Sequence, residues 1–300
     1  MTPEKNEVEF MYRASLFRSG GPSRGFSIVA AGMLCATGVS TGPVWAQAGQ
    51  TLAPHRAVYE MKLGDTEEQS GIAGLNGRMV YDFSGSACEG YSVNFRFVTQ
   101  FQNQDGGSQI TDMQTTSFEE PEAESYQFLS KTYVDQKLVE ETRGTATADA
   151  RKKTVELKQP SEKSLDISPE VLFPTEHLLS IMKAAEEGVR FVAADIYDGA
   201  ETGEKVYATT TVIGAENKSQ ETAGDEGPAA PLADMRYWPV TVAYFDPGSD
   251  DATGEVMPVY QLSFWLYENG ISRHLKLDYG DFSIKGEMSS LELYDVTDCP

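Results

Sequence analysis

Residues 172–188 carry the one convincing helical pattern in a chain that otherwise alternates like β-strand. Leu178, Ile181, Met182 and Ala185 recur at spacings of three and four, which draws a single apolar stripe. Ser168-Pro169-Glu170 and Thr175-Glu176 both supply start signals and Gly188 supplies a stop, so the helix is expected over about 169–187. A lone amphipathic helix in a β-chain has to bury its stripe against a sheet. This predicts a curved sheet wrapped on a helical plug, with strands before and after it.

The strand signals are period-two runs separated by Gly, Asn, Asp and Pro clusters. His55-Arg56-Ala57-Val58-Tyr59-Glu60-Met61-Lys62-Leu63 alternates, as does the longer run 91–101. Gly74 and Gly77 in the second run mark a bulge or close packing. Asn269-Gly270 between two late runs is a hairpin signal. The whole reads as mainly β: about fourteen strands in a spiral-like pair of curved sheets or half-barrels around one main α-helix. That count exceeds the eight strands of a closed lipocalin-like barrel. No composition break separates independent domains, so residues 47–300 are expected to form one domain. Residues 216–233, rich in Gly, Ala, Pro, Glu and Asp, read as an acidic flexible loop.

The first residues read differently. Arg13, Arg18 and Arg24 precede a short apolar run, then small residues up to Ala46, so residues 1–46 are expected to be a cleaved signal peptide. Cleavage is placed after Ala46, with Ala48 second, and Met11 is a plausible true start. The run is too short for a comfortable membrane span, and Leu34 before Cys35 argues against lipidation. No other segment has the length and apolarity of a membrane helix.

The chain carries 46 acidic and 24 basic residues, a net charge of −22. Such a surface repels nucleic acid, which is therefore not an expected partner. Removing residues 1–46 leaves two cysteines, Cys88 and Cys299. An exported chain with an even count is expected to pair them in a structural disulfide.

No motif selects a reaction. His55, His177 and His274 show no metal-ligand spacing, and the acids of residues 246–255 lack the pattern of a calcium loop. GxSxG, P-loop and Rossmann fingerprints are absent from the sequence. No catalytic residue, metal or cofactor is expected. Most strand aromatics should be core; if the inner face is not filled, Tyr91, Phe95, Phe97 and Phe264 are the expected groove lining.

Several segments are jointly familiar: Leu52-Ala53-Pro54-His55-Arg56-Ala57-Val58-Tyr59, Gly77-Arg78-Met79-Val80-Tyr81, Cys88-Glu89-Gly90-Tyr91, Phe173-Pro174-Thr175-Glu176-His177, Leu266-Tyr267-Glu268-Asn269-Gly270-Ile271-Ser272-Arg273 and Leu277-Asp278-Tyr279-Gly280-Asp281-Phe282. In order, they make the chain resemble the EipB-like cell-envelope integrity family of alphaproteobacteria. The resemblance implies a periplasmic protein with a spiral-like β-fold, a disulfide between Cys88 and Cys299, no known enzyme activity and a role in maintaining the envelope under stress. The expectation is therefore a non-enzymatic periplasmic protein acting through an envelope protein partner. The alternative is a carrier of lipid or lipoprotein acyl chains in a half-barrel groove. A hydrolase comes third.

Overall fold

The computed structural model describes residues 52–219, 227–248, 257–296 and 299. The expected signal peptide, with its cleavage site at Ala46, lies outside the described residues, as does the middle of the expected acidic loop. The chain runs β1 (His55–Thr66), β2 (Ile72–Ser86), β3 (Gly90–Asn103), β4 (Ser108–Glu119), β5 (Ser125–Val134), β6 (Lys137–Ala148), β7 (Lys153–Gln159) and β8 (Lys163–Ile167). The helix α1 (Pro174–Glu186) follows, then β9 (Phe191–Ile196), β10 (Tyr207–Ile213), β11 (Asn217–Lys218), β12 (Arg236–Phe245), β13 (Tyr260–Tyr267), β14 (Ser272–Asp278) and β15 (Phe282–Leu293).

The fifteen strands form one antiparallel sheet rather than two. Its order is β8-β7-β6-β5-β4-β3-β2-β1-β15-β14-β13-β12-β10-β9, with β11 paired to β12. The first and last strands therefore meet at the centre, and the two strands flanking the helix in sequence are the outer edges. Alternation decides which side chains face in. On β1, His55, Ala57, Tyr59 and Met61 are buried, while Arg56 and Lys62 are exposed. Register shifts on β1/β15, β5/β6 and β13/β14 are bulges, which bend and twist the sheet. Met61 is paired with Gly286 on one side and Gly77 on the other. A Cβ on Gly286 would collide with its sulfur. The close packing expected at Gly77 is thus observed, and a bulge falls between Ile72 and Gly74.

The edges do not close by a ladder. Beyond β8, Leu172 makes a parallel bridge to Ile196 of β9, with Leu172 N–H donating to Asp195 O and Tyr197 N–H to Leu172 O. The residues after β9 then reach across to β5 and β6. Tyr126 OH donates to the Asp198 carbonyl at 3.0 Å, the Thr142 hydroxyl donates to the Glu201 carbonyl, and the Tyr197 ring packs edge-on against Phe128. Gly199 sits at φ +70°, and a Cβ there would strike the Phe128 ring. A side-chain clasp therefore ties the β9 end of the sheet to β6 and β5, the third and fourth strands from the β8 edge.

The helix is shorter at its start than expected, because residues 168–172 are spent on a turn and on the bridge. Its N-cap is Phe173, which has no hydrogen-bonding side chain; neither Ser168 nor Thr175 takes that role. Along the stripe, Ile181, Met182 and Ala185 are buried and Leu178 is half-buried. Full burial of Ile181 and Met182 contributes about 2 kcal/mol each.

Candidate functional site

The helix start is tied down by two carboxylates. Glu119, at the end of β4, accepts from Thr175 N–H at 2.9 Å and Glu176 N–H at 3.1 Å. These are free N–H groups of the first turn, where the helix dipole also favours an anion. Burial nevertheless raises the Glu119 pKa, with the backbone donors pulling the other way. Glu176 accepts from Phe173 N–H and from Lys153 Nζ, each at 2.9 Å. The buried Lys153 also donates to Val171 O and lies 3.9 Å above the Phe173 ring. Next to it, His177 is 6% exposed, and its Nε2 has no hydrogen-bond partner among the described residues. Burial lowers its pKa to about 4. The helix, its ties and Leu178 fill this end of the interior. Only about 10 Å³ remains beside Leu178, lined by Leu52, His55, Tyr81, Phe83 and Gly270, scarcely room for one water.

Away from the helix, aromatic side chains of the late strands come together. Register places Tyr207, Tyr244, Tyr260 and Phe282 on the inner face, with Tyr279 just beyond β14. Their rings form a continuous band. Tyr207 meets Tyr244 edge-on at 6.4 Å, Tyr244 stacks on Tyr260 at 4.4 Å, Tyr260 lies 6.1 Å from Tyr279, and Tyr279 stacks on Phe282 at 5.0 Å. Phe101 of β3 continues it, edge-on to Phe282 at 6.3 Å. Tyr244, Tyr260 and Tyr279 are only half-buried. Burial still pushes all three phenols up, Tyr279 to about 12 and the others further.

Polar groups of the clasp lie at one end of that band, where Glu201 meets Tyr207. Burial raises the pKa of Tyr126, Tyr197, Tyr207, Tyr244 and Tyr260, and the Asp198 carboxylate adds to each rise. Its own pKa is raised by burial and by Glu201, against the lowering effect of the Ala200 N–H, 2.9 Å from Oδ1. Glu201 accepts from Tyr207 OH and pairs with Lys205 at 2.8 Å. Lys205 also pairs with Asp246 at 2.9 Å. Asp246 is buried, although its sequence context reads as a solvated turn. On β4 and β5, inward Thr115 and Ser130 share a 3.2 Å hydrogen bond. Thr111 is buried with an unpartnered hydroxyl.

The expected lining is therefore corrected. Tyr91, Phe97 and Phe264 are buried in the main core, because helix and facing strands cover them; only Phe95 stays half-buried. The tyrosine band went unnoticed because its members come from separate strands. One signal was available. A hairpin centred on Asn269-Gly270 sets Tyr260 opposite Tyr279, and the observed Gln261–Asp278 pair carries that register.

The remaining expected residues lie apart. Cys88 and Cys299 are joined in a disulfide, Cα to Cα 5.7 Å. His55 bonds Ala53 O through Nδ1, and His274 packs on Trp265, so the histidines do not converge. Among the described residues no group of His, Cys, Asp and Glu has metal-site geometry, and no helix is long and apolar enough to cross a membrane. The outer face of β1–β4 holds a shallow concavity of about 520 Å³ with Arg78, Arg96, Val80 and Val98 in its wall. Both arginines are already paired, with Glu60 and Asp112.

Comparison with known proteins gives concordant results. The family described as EipB-like matches residues 46–295. The cell envelope integrity protein EipB of Brucella abortus (strain 2308) is 43% identical over 256 residues, covering 85% of this chain and 89% of its own. A crystal structure of a beta-barrel-like protein of a domain of unknown function, also from Brucella abortus, aligns with a TM-score of 0.74 at 42% identity, over 82% of this chain and 99% of that one. By sequence over most of its length and by fold, the chain belongs to the EipB-like family.

Proposed function

We propose that this chain is a non-enzymatic periplasmic protein that supports cell-envelope integrity by docking an envelope protein partner. Its kinship with a protein named for envelope integrity supports the role. One surface observation carries the docking. Phe191 of edge strand β9 is 59% exposed and lies directly opposite Val212 of β10, itself 53% exposed, with exposed Val189 alongside. Large apolar side chains grouped on an acidic surface mark a contact site. A deletion strain should be sensitive to detergent and cell-wall antibiotics. A Phe191→Asp/Val212→Asp double variant, exported and melting normally, should fail to restore resistance. Normal resistance in the deletion strain would refute the role, and full rescue by the variant would refute the patch.

A second reading, a carrier of lipid or lipoprotein acyl chains, has one observation in its favour: inward Met113, Leu262 and Leu277 remain half-buried. Native mass spectrometry of protein purified from the periplasm tests it through co-purifying lipid.

A further inference from the structure

The two edges of the sheet are built differently. β8 is blunted by charge: Lys163 pairs with Glu204, and Asp166 pairs with Lys152. β9, Phe191-Val192-Ala193-Ala194-Asp195-Ile196, carries no lysine and no proline, and its register with β10 runs without a bulge. An edge without such protection is a template for another strand.

The bonds near its two ends fix which main-chain groups face outward. Arg190 O accepts from Ile213 N–H, so the even-numbered residues turn toward β10. Asp195 O accepts from Leu172 N–H on the opposite side, so the odd-numbered residues turn away. The N–H and C=O of Phe191 and Ala193 therefore point off the sheet, and no described residue bonds them. Leu172 occupies the edge only at its far end, beside Asp195 and Ile196. The half from Phe191 to Ala193 stays bare.

Phe191, Ala193 and Asp195 share the exposed face of the strand. Ala193 is small and leaves space between the other two. The Asp195 carboxylate is paired with no cation among the described residues. A partner that covers Phe191 takes the neighbouring main-chain groups out of water, where they need new hydrogen bonds. A helix or a side-chain surface offers no matching row. An extended strand returns a donor and an acceptor at every second residue. It also lays its own side chains beside Phe191 and Asp195. In a chain of net charge −22, a basic side chain is the one favoured beside Asp195.

We propose that β9 takes up an extended segment of the partner as an added antiparallel strand, hydrogen-bonded to Phe191 and Ala193, with an apolar side chain against Phe191 and Val212 and a lysine or arginine on Asp195. This rests on the docking role proposed for the β9 patch and specifies how the partner is held.

The probe is the peptide Lys-Thr-Val-Thr-Ile-amide, whose lysine, valine and isoleucine fall opposite Asp195, Ala193 and Phe191 in an antiparallel register. It is titrated into the purified protein and followed by amide NMR. Saturable binding is expected, with slowed hydrogen exchange at the Phe191 and Ala193 amides. N-methylation of the peptide's valine and isoleucine keeps the side chains, removes both donors and should weaken binding by about tenfold or more. Ala193→Pro, which an edge strand accepts where the N–H faces outward, should do the same, whereas Ala193→Thr should bind like wild type. The N-methylated peptide keeps the experiment decisive if Ala193→Pro melts early. No saturable binding, or binding that N-methylation leaves unchanged, overturns the proposal. A protein that sediments as a dimer with those amides already protected also overturns it, in favour of a second copy on the edge. In the deletion strain, full rescue by Ala193→Pro alongside failure of Phe191→Asp/Val212→Asp would keep the patch and sink strand addition. Full rescue by both would sink the docking role itself.

Discussion

Glu119 on β4 caps the helix at Thr175, across 56 residues of sequence and from another element of the fold. The residue at the cap position, Phe173, has nothing to offer the free N–H groups. Glu119→Ala leaves two helix N–H donors unmet, the one at Thr175 fully buried, and a loss of about 2 kcal/mol in urea-unfolding free energy is expected. Glu119→Gln keeps one acceptor and should lose less. An unchanged midpoint for Glu119→Ala would show that the cap is dispensable.

His177 makes stability depend on pH. Its folded pKa, about 4, lies below the ordinary histidine value of 6.5. The unfolded chain therefore takes up a proton that the folded imidazole refuses. Stability from this group is complete above pH 6.5 and is lost as pH falls toward 4, up to about 3 kcal/mol. His55, shifted the same way by burial, adds to the loss, and Glu119, shifted upward, opposes it. The difference between wild type and His177→Leu isolates the one group: the variant should show a flatter profile between pH 6.5 and 4. Parallel profiles would contradict it.

Gly199 tests the clasp. With its positive φ and Phe128 against it, Gly199→Ala is expected to destabilise by about 2 kcal/mol or more. Hydrogen exchange should show the loosening first in β9 and in β5 and β6, which the clasp holds. Protection unchanged there would mean that the edges are held by the Leu172–Ile196 bridge alone.

The disulfide encloses a long stretch of chain, the cysteines being 211 positions apart. Cys88→Ser is expected to cost about 2–5 kcal/mol. Equal stability of the variant and the oxidised wild type would show that the pairing of β1 with β15 already fixes the end of the chain.

The fold was legible wherever one face of an element is wet and the other dry. The run from His55 to Leu63 and the stripe Ile181, Met182, Ala185 carry that contrast in their spacing. β8 carries it only faintly: Lys163–Ile167 is five residues long, and its inward Leu165 and Ile167 are no more than half-buried. The helix start was blurred because the capping group is Glu119, which no local pattern can supply. The tyrosine band was legible only in fragments. Tyr260 and Tyr279 follow from the Asn269-Gly270 hairpin, whereas Asp198 reaches them through the curl of the entire sheet. Asp246 looked solvated because its partner, Lys205, is distant in sequence.

The placing of β1 against β15 at the middle of the sheet has a kinetic meaning. During synthesis the chain emerges with β1 to β8 first, and each can pair with its neighbour as it appears. β1 then keeps one bare edge until the final strand arrives, with Tyr59 and Met61 lacking half of their cover. The most interior seam of the molecule is thus the last that can form, and an unfinished chain exposes it to any other extended strand nearby. Such a fold needs protection from stray pairing for as long as its end is missing.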